Sequence, residues 1–370
     1  MGRPKKICEQ TDRFHMRQAL WIAQTGRGQT GVNPSVGCVI VKKNCVLSRA
    51  RTENQGRPHA EVIAIGKATS DVKGATLYTT LEPCSHYGLT PPCADMIISS
   101  GIKRVVVGCL DPDKRVSGQG VENLKNHNIR VDVGCLEQEV EAFYKGYFLH
   151  RRKQRPFISL KMATSQDEKI TPPSGEGWIT SPLARSRGHI ERYYHDAILV
   201  GIGTVLKDDP LLTCRLPGVS KPAFPRIVLD RNLLLPLSSR LCKTASESPL
   251  WVLTEREKIK SDKTKKLRDK GVEVIDLLCD ESGFIDMKDL TSYLACRGII
   301  HLLVEGGAQV YQSFVDRNLC DQLLWFRAAK RFGAGLPALN GVAIKDLPKR
   351  FKWSLVERQQ LGEDVLEVYR

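Results

Sequence analysis

Long apolar runs are missing from this 370-residue chain. The longest, such as residues 197–206, fall far short of the roughly 18 residues a membrane-spanning helix needs, and they contain glycine. No membrane crossing is expected. The basic start, Met1 to Lys6, leads into Cys8-Glu9-Gln10-Thr11-Asp12 and not into an apolar segment, so no export signal is expected either. The sequence also lacks a basic tail, an internal repeat, a long low-complexity tract and a basic stripe interleaved with aromatics. These absences weigh against nucleic-acid and membrane partners despite a net charge of +15. They point to a cytoplasmic protein whose twelve cysteines are thiols or metal ligands, not a disulfide framework.

Core-forming material is present. Hydrophobic residues make up 41% and charged residues 26%, a globular balance, and the length fits two domains better than one oversized core. Residues 150–156 are polar, charged and closed by Pro156, the composition of a linker, so the domains are expected at 1–150 and 151–370. In the first, helical spacing over 14–23 and from His59 alternates with strands at 36–41, 45–47, 76–81, 104–109 and 129–133. In the second, strands are expected at 157–162, 197–200, 226–229, 250–253, 299–304 and 322–326, with helices at 182–194, 287–296 and 309–317. Both domains read as α/β layers, with active groups on strand ends and helix starts. The charged run 256–270 mixes both signs and reads as a solvated helix face with a loop.

His59-Ala60-Glu61 is followed by Pro83-Cys84 and then by Cys93. Catalytic zinc needs three protein ligands and an open position for water, whose pKa falls toward about 7. His59, Cys84 and Cys93 supply that count. Cys93 falls at a helix start, where the dipole favours thiolate, while Glu61 is left to move protons as in the zinc deaminases. Taken singly, each residue has a plainer reading as a surface histidine or a buried thiol; the joint pattern is what is specific. Eight residues separate Cys84 from Cys93, unlike the P-C-x-x-C spacing of nucleic-acid deaminases.

In the second half, Gly201-Ile202-Gly203 lacks the third glycine of a dinucleotide fingerprint and precedes no evident helix, so it is weak evidence. The Glu305-Gly306-Gly307 turn after an apolar strand is better placed, since helix N–H groups beyond it would face a pyrophosphate.

The stretch Thr80-Leu81-Glu82-Pro83-Cys84-Ser85-His86-Tyr87-Gly88-Leu89-Thr90-Pro91-Pro92-Cys93, with Asn33-Pro34-Ser35-Val36-Gly37 and Asp111-Pro112, resembles the deaminase domain of the bifunctional riboflavin-biosynthesis deaminase/reductase family. Trp178-Ile179-Thr180-Ser181, the run from Gly201 to Pro210 and Leu212-Thr213-Cys214-Arg215 resemble its reductase domain. The resemblance implies a cytidine-deaminase-like three-layer fold followed by a dihydrofolate-reductase-like fold. It implies zinc-dependent deamination of a phosphoribosylamino diaminopyrimidinone, then NADPH-dependent reduction of the ribosyl group to ribityl. Carried over by position, Asn33 would contact the pyrimidine, and Ser85 and His86 would line the substrate pocket near zinc. Arg192, Asp208, Leu212, Arg215 and Glu305 would hold the reductase substrate. Trp178, Thr204, Asp208, Glu305, Gly306 and Gly307 would hold NADPH, with Asp208 and Glu61 as the catalytic groups. A homo-oligomer is expected.

The chain departs from that family at Thr52, where His is usual, and at Leu89, where Lys or Arg is usual; Arg49, Arg51 or Arg57 would then supply the missing phosphate contact. It departs again at Gln166 and Glu168, in Ser165-Gln166-Asp167-Glu168, where Glu168 replaces a glycine and brings a carboxylate near an anionic ligand, and at Glu176. Two rival readings stay open: a nucleic-acid deaminase or binding protein, and a reductase carrying a degenerate first domain.

Overall fold

Short β-branched runs alternating with helix-spaced segments give two α/β units, Met1–Gln154 and Arg155–Arg370. The computed structural model describes residues 9–88, 90–113, 117–172, 174–175, 177–219, 222–280 and 285–370, so Leu89 and Glu176 lie outside the described residues.

The first unit runs α1 (Gln10–Gln24), β1 (Gly37–Lys42), β2 (Cys45–Arg51), α2 (Ala60–Gly66), β3 (Thr76–Leu81), α3 (Cys93–Ser99), β4 (Arg104–Cys109), α4 (Gln119–Asn126), β5 (Arg130–Val133) and α5 (Glu137–Lys153). Lys43 and Asn44, both at positive φ, make the tight β1–β2 hairpin turn. The sheet order is β2-β1-β3-β4-β5, with β3, β4 and β5 parallel. In α1 the buried Met16, Ala19, Leu20 and Ala23 recur at helical spacing and pack on β1 and β3. Residues 150–153, whose composition suggests a linker, instead finish α5. His150, Arg151, Arg152 and Lys153 sit in its last turn, where positive charge complements the negative end of the helix dipole, and Gln154 closes the helix in a left-handed conformation. Among the described residues ten cysteines are free thiols and Cys135 is disulfide-bonded, so the all-thiol expectation fails there.

The second unit runs β6 (Phe157–Thr164), α6 (Pro182–Tyr194), β7 (Ala197–Gly201), α7 (Ile202–Asp208), β8 (Arg226–Leu229), α8 (Arg240–Lys243), β9 (Leu250–Glu255), α9 (Asp262–Asp269), β10 (Glu273–Leu277), α10 (Met287–Cys296), β11 (His301–Gly306), α11 (Ala308–Asp316), β12 (Gln322–Arg327), α12 (Leu347–Phe351), β13 (Leu355–Leu361) and β14 (Asp364–Tyr369). Its sheet order is β10-β9-β8-β7-β11-β6-β12-β14-β13, parallel from β10 to β12 and closed by an antiparallel hairpin. Central β7 is buried at every position because helices cover parallel strands on both faces, which is why Ala197–Gly201 reads as an unbroken apolar run. Leu160, Leu199, Leu302, Phe314 and Leu323 are among the side chains that fill the larger core, each contributing about 1.5–3 kcal/mol of burial. The C-terminal ends of β6, β7, β8 and β11 leave a crevice of the kind in which open α/β sheets bind ligands.

One expectation needs correction. Gly201-Ile202-Gly203 does lead into a helix, α7, whose seven residues with only Val205 buried show too little periodicity to be legible. Glu168 takes positive φ (61°), and its carboxylate accepts from Ile344 N (2.7 Å) and Lys345 N (3.3 Å). Nearby, Gln166 Oε1 accepts from Arg331 Nε at 2.7 Å, so both departures tie the same loop to the chain's last fifth.

Candidate active sites

His59 is the N-cap of α2, Cys93 is the first residue of α3, and Cys84 follows β3. Their donor atoms lie within 4.8 Å of one another. Both sulfurs approach the same imidazole nitrogen, His59 Nδ1, at 3.2 Å for Cys93 and 3.6 Å for Cys84, and Cys93 N–H donates to Cys84 Sγ at 3.3 Å. Two sulfurs and one imidazole are a donor set that suits zinc, and the count leaves a coordination position open. The Cys93 thiol, helped by the His59 ring, holds Cys84 down to about 4, and Cys93 rises because Cys84 holds on to its proton. A thiolate is therefore available for metal at neutral pH.

Glu61 is buried beside these donors. Burial pushes its carboxyl above the usual range, against the pull of the His59 ring. The Thr79 hydroxyl donates to Glu61 Oε1 at 3.2 Å. Next to the donors in the chain, Ser85 Oγ and His86 Nδ1 are buried with no hydrogen-bond partner among the described residues. Asn33 Nδ2 donates to Gly56 O (3.1 Å), three residues ahead of His59. Thr52 serves the backbone, its hydroxyl accepting from Val36 N at 2.9 Å. Of the three nearby arginines, Arg51 is occupied by Thr52 O and Asn54 Oδ1, and Arg49 is exposed on β2. Arg57 reaches across to Thr90 Oγ1 (2.6 Å) and lies beside Gly88, on the loop that carries Ser85 and His86. Among the described residues no carboxylate pairs with it.

In the second unit a cavity of about 1380 Å³ brings together every residue the sequence nominated there: Trp178, Arg192, Thr204, Asp208, Leu212, Arg215, Glu305, Gly306 and Gly307. Arg192 is locked to Glu305 and also donates to Thr213 O at 3.0 Å. Arg215 Nη1 reaches Thr213 Oγ1 at 3.2 Å, so one residue orders both cations. Burial raises the Asp208 carboxyl, with Lys207 opposing. Gly307 (φ 83°) caps α11, and Thr204 Oγ1 lies 3.3 Å and 3.6 Å from where Cβ atoms on Gly306 and Gly307 would stand. Glycine keeps this turn open for a backbone approach to a pyrophosphate at a helix start, which fits a dinucleotide. Trp178 is 71% exposed, with the Arg185 guanidinium 4.4 Å over its ring.

Residues 9–109 match the cytidine and deoxycytidylate deaminase zinc-binding region, and residues 156–366 match the RibD C-terminal domain. The riboflavin biosynthesis protein RibD of Aquifex aeolicus is 41% identical over 98% of this chain and 99% of its own length. The chain belongs to the RibD family. It is a bifunctional enzyme of riboflavin biosynthesis, a deaminase that uses zinc joined to a reductase that uses NADPH. RibD of Escherichia coli is 35% identical over 96% of this chain and 98% of its own length. A crystal structure from Thermotoga maritima, described as a diaminohydroxyphosphoribosylaminopyrimidine deaminase/5-amino-6-(5-phosphoribosylamino)uracil reductase, superposes with a TM-score of 0.84 at 37% identity, covering 97% of this chain and 98% of that one. Acinetobacter baumannii RibD gives 0.86 at 31% identity over 97% and 98%. The three-layer deaminase and reductase folds expected from the sequence are those of this family. No helix among the described residues is long and apolar enough to cross a membrane.

Sequence reading missed Lys161, which lines the reductase cavity 3.9 Å from Glu305 Oε2. Burial pulls its amine below the usual lysine range, with Glu305 opposing. A single lysine in the apolar strand Phe157–Thr164 was the available signal. His189 was missed too: its Nδ1 accepts from Arg215 N at 3.3 Å, and burial with the Arg192 and Arg215 charges holds it down to about 4, so it stays neutral.

Proposed function

We propose that the first unit hydrolytically deaminates 2,5-diamino-6-(5-phosphoribosylamino)pyrimidin-4-one and that the second reduces the ribosyl group of the product to ribityl. The observation that carries this reading is the meeting of His59, Cys84 and Cys93 around a buried Glu61 in a chain whose other unit holds a cavity with a glycine turn and two ordered arginines. His59, Cys84 and Cys93 hold the metal. When bound there, zinc supplies Lewis acidity at an open position and acidifies water toward a pKa of about 7. Glu61 takes a proton from the attacking water and delivers it to the ring nitrogen, then carries a second proton, from the hydroxyl newly attached to the ring carbon, to the departing amine, which leaves as ammonia. Ser85, His86 and Asn33 meet the pyrimidine. Arg57 is the cation best placed for the phosphate.

In the second unit the Gly306-Gly307 turn, Thr204 and Trp178 hold the dinucleotide, which supplies the hydride. Arg192 and Arg215 draw the substrate phosphate, Leu212 packs against the substrate, and Glu305 fixes Arg192. Asp208 lies nearest the sugar carbon that accepts hydride, and Lys161 stands by to give a proton to the sugar oxygen. The partners in this reading are phosphorylated pyrimidines and other copies of the chain, not nucleic acid, and the compartment is the cytoplasm. Incubating the protein with the diaminopyrimidinone, with and without NADPH, tests it. Ammonia release without NADPH, and NADPH loss only after deamination, are expected. Ammonia-free NADPH consumption would reduce the first unit to a scaffold, and neither signal would defeat the reading.

A further inference from the structure

Cys84 rides on a loop, and a loop residue serving as a metal donor needs an anchor. Two residues upstream, Glu82 is buried just beyond β3. Its carboxylate accepts four backbone N–H bonds: Asp111 (3.3 Å) and Gly118 (3.0 Å) on Oε2, Gly120 (3.0 Å) and Val121 (3.2 Å) on Oε1. Its own N–H donates to Cys109 O at 3.1 Å. Three of these donors stand at the opening of α4, so the charge also meets the positive end of that helix. Only Pro83 separates Glu82 from Cys84, and a proline fixes its own φ while restricting the residue before it. A Cβ on Gly120 would stand 2.0 Å from Pro83 O, so α4 rests directly on the proline peptide.

We propose that Glu82 is a positioning residue for the metal, fixing Cys84 Sγ against His59 and Cys93 through the stiff Pro83 link. It touches neither metal nor substrate. Glutamine at position 82 has one acceptor oxygen and turns an NH2 toward N–H groups that need an acceptor, so two of the four bonds would fail. The loop would keep its chain path and lose its preorganisation, and supporting residues of metal sites cost about 10- to 100-fold in affinity when they are lost.

The proposal rests on zinc binding at His59, Cys84 and Cys93. Its test measures zinc affinity of the full chain by competition with a chromogenic chelator, beside thermal unfolding and ammonia release. Glu82→Gln is expected to bind zinc at least tenfold more weakly, to unfold cooperatively, and to regain deamination when zinc is raised; Glu82→Asp should fall between it and wild type. Wild-type affinity in Glu82→Gln would overturn the proposal. So would a loss of cooperative unfolding that zinc does not reverse, which would make Glu82 a support of the fold alone. A wild-type chain that binds no zinc would instead defeat the metal reading beneath it.

Discussion

Arg192 and Glu305 form a bidentate ion pair in the reductase cavity, with Nε–Oε1 and Nη2–Oε2 both at 2.7 Å. Burial alone would raise the Glu305 carboxyl, but the Arg192 and Lys161 charges outweigh it and hold the group at about 2. Its stabilisation is therefore complete above the ordinary carboxylate range and is lost as pH falls from about 4.5 through about 2. Removing one partner of a buried pair typically costs about 3–5 kcal/mol. Glu305→Gln should lower denaturant stability at pH 7, flatten its acid dependence over that window, and cut NADPH consumption at least tenfold while ammonia release persists. Unchanged stability at pH 7 and pH 3 would show that the pair contributes nothing net.

Glu61→Gln separates proton transfer from metal binding. The carboxylate is not among the three close donors, so zinc content should match wild type. General acid–base groups contribute about 10²- to 10⁴-fold, and ammonia release should fall by that much. NADPH consumption with the pre-deaminated substrate should be untouched. A variant that loses zinc would place Glu61 among the ligands.

Arg57 carries the phosphate prediction. A charge-assisted contact contributes about 1.5–3 kcal/mol, so Arg57→Ala should raise the deamination KM roughly 10- to 150-fold for the phosphorylated substrate and hardly at all for its dephosphorylated form. Arg51→Ala should not show this split, because Arg51 is spent on Thr52 O and Asn54 Oδ1. Equal losses on both substrates would assign Arg57 a purely structural part.

What the sequence made legible was chemistry confined to neighbouring residues. His59, Cys84, Cys93 and Glu61 could be nominated because donor types and helix starts are visible in the string, and the Glu305-Gly306-Gly307 turn because an apolar strand runs into it. What stayed hidden depends on backbone or on distant partners. The groups that Glu82 binds are four main-chain N–H groups, which no residue pattern advertises. Lys161 reads as one more strand position until β6 and β11 are placed side by side. Strand β13 is exposed along all but Leu361, so it lacked the alternation that marks a half-buried strand.

Glu168 offers a prediction with two opposed terms. Its φ of 61° costs a non-glycine residue about 1–2 kcal/mol, which glycine would recover. Against this, its carboxylate accepts from Ile344 N and Lys345 N, charge-assisted bonds worth about 1.5–3 kcal/mol each when well formed; the 3.3 Å bond to Lys345 contributes less than the 2.7 Å bond to Ile344. Glu168→Ala loses the bonds and keeps the strain, so it should destabilise by about 2 kcal/mol or more. Glu168→Gly loses the same bonds but relaxes the turn, so it should cost about 1 kcal/mol less than alanine. Equilibrium denaturation of the two variants beside wild type measures the difference. An alanine variant as stable as wild type would show that the carboxylate bonds carry no net weight, and a glycine variant no better than alanine would show that the turn is unstrained.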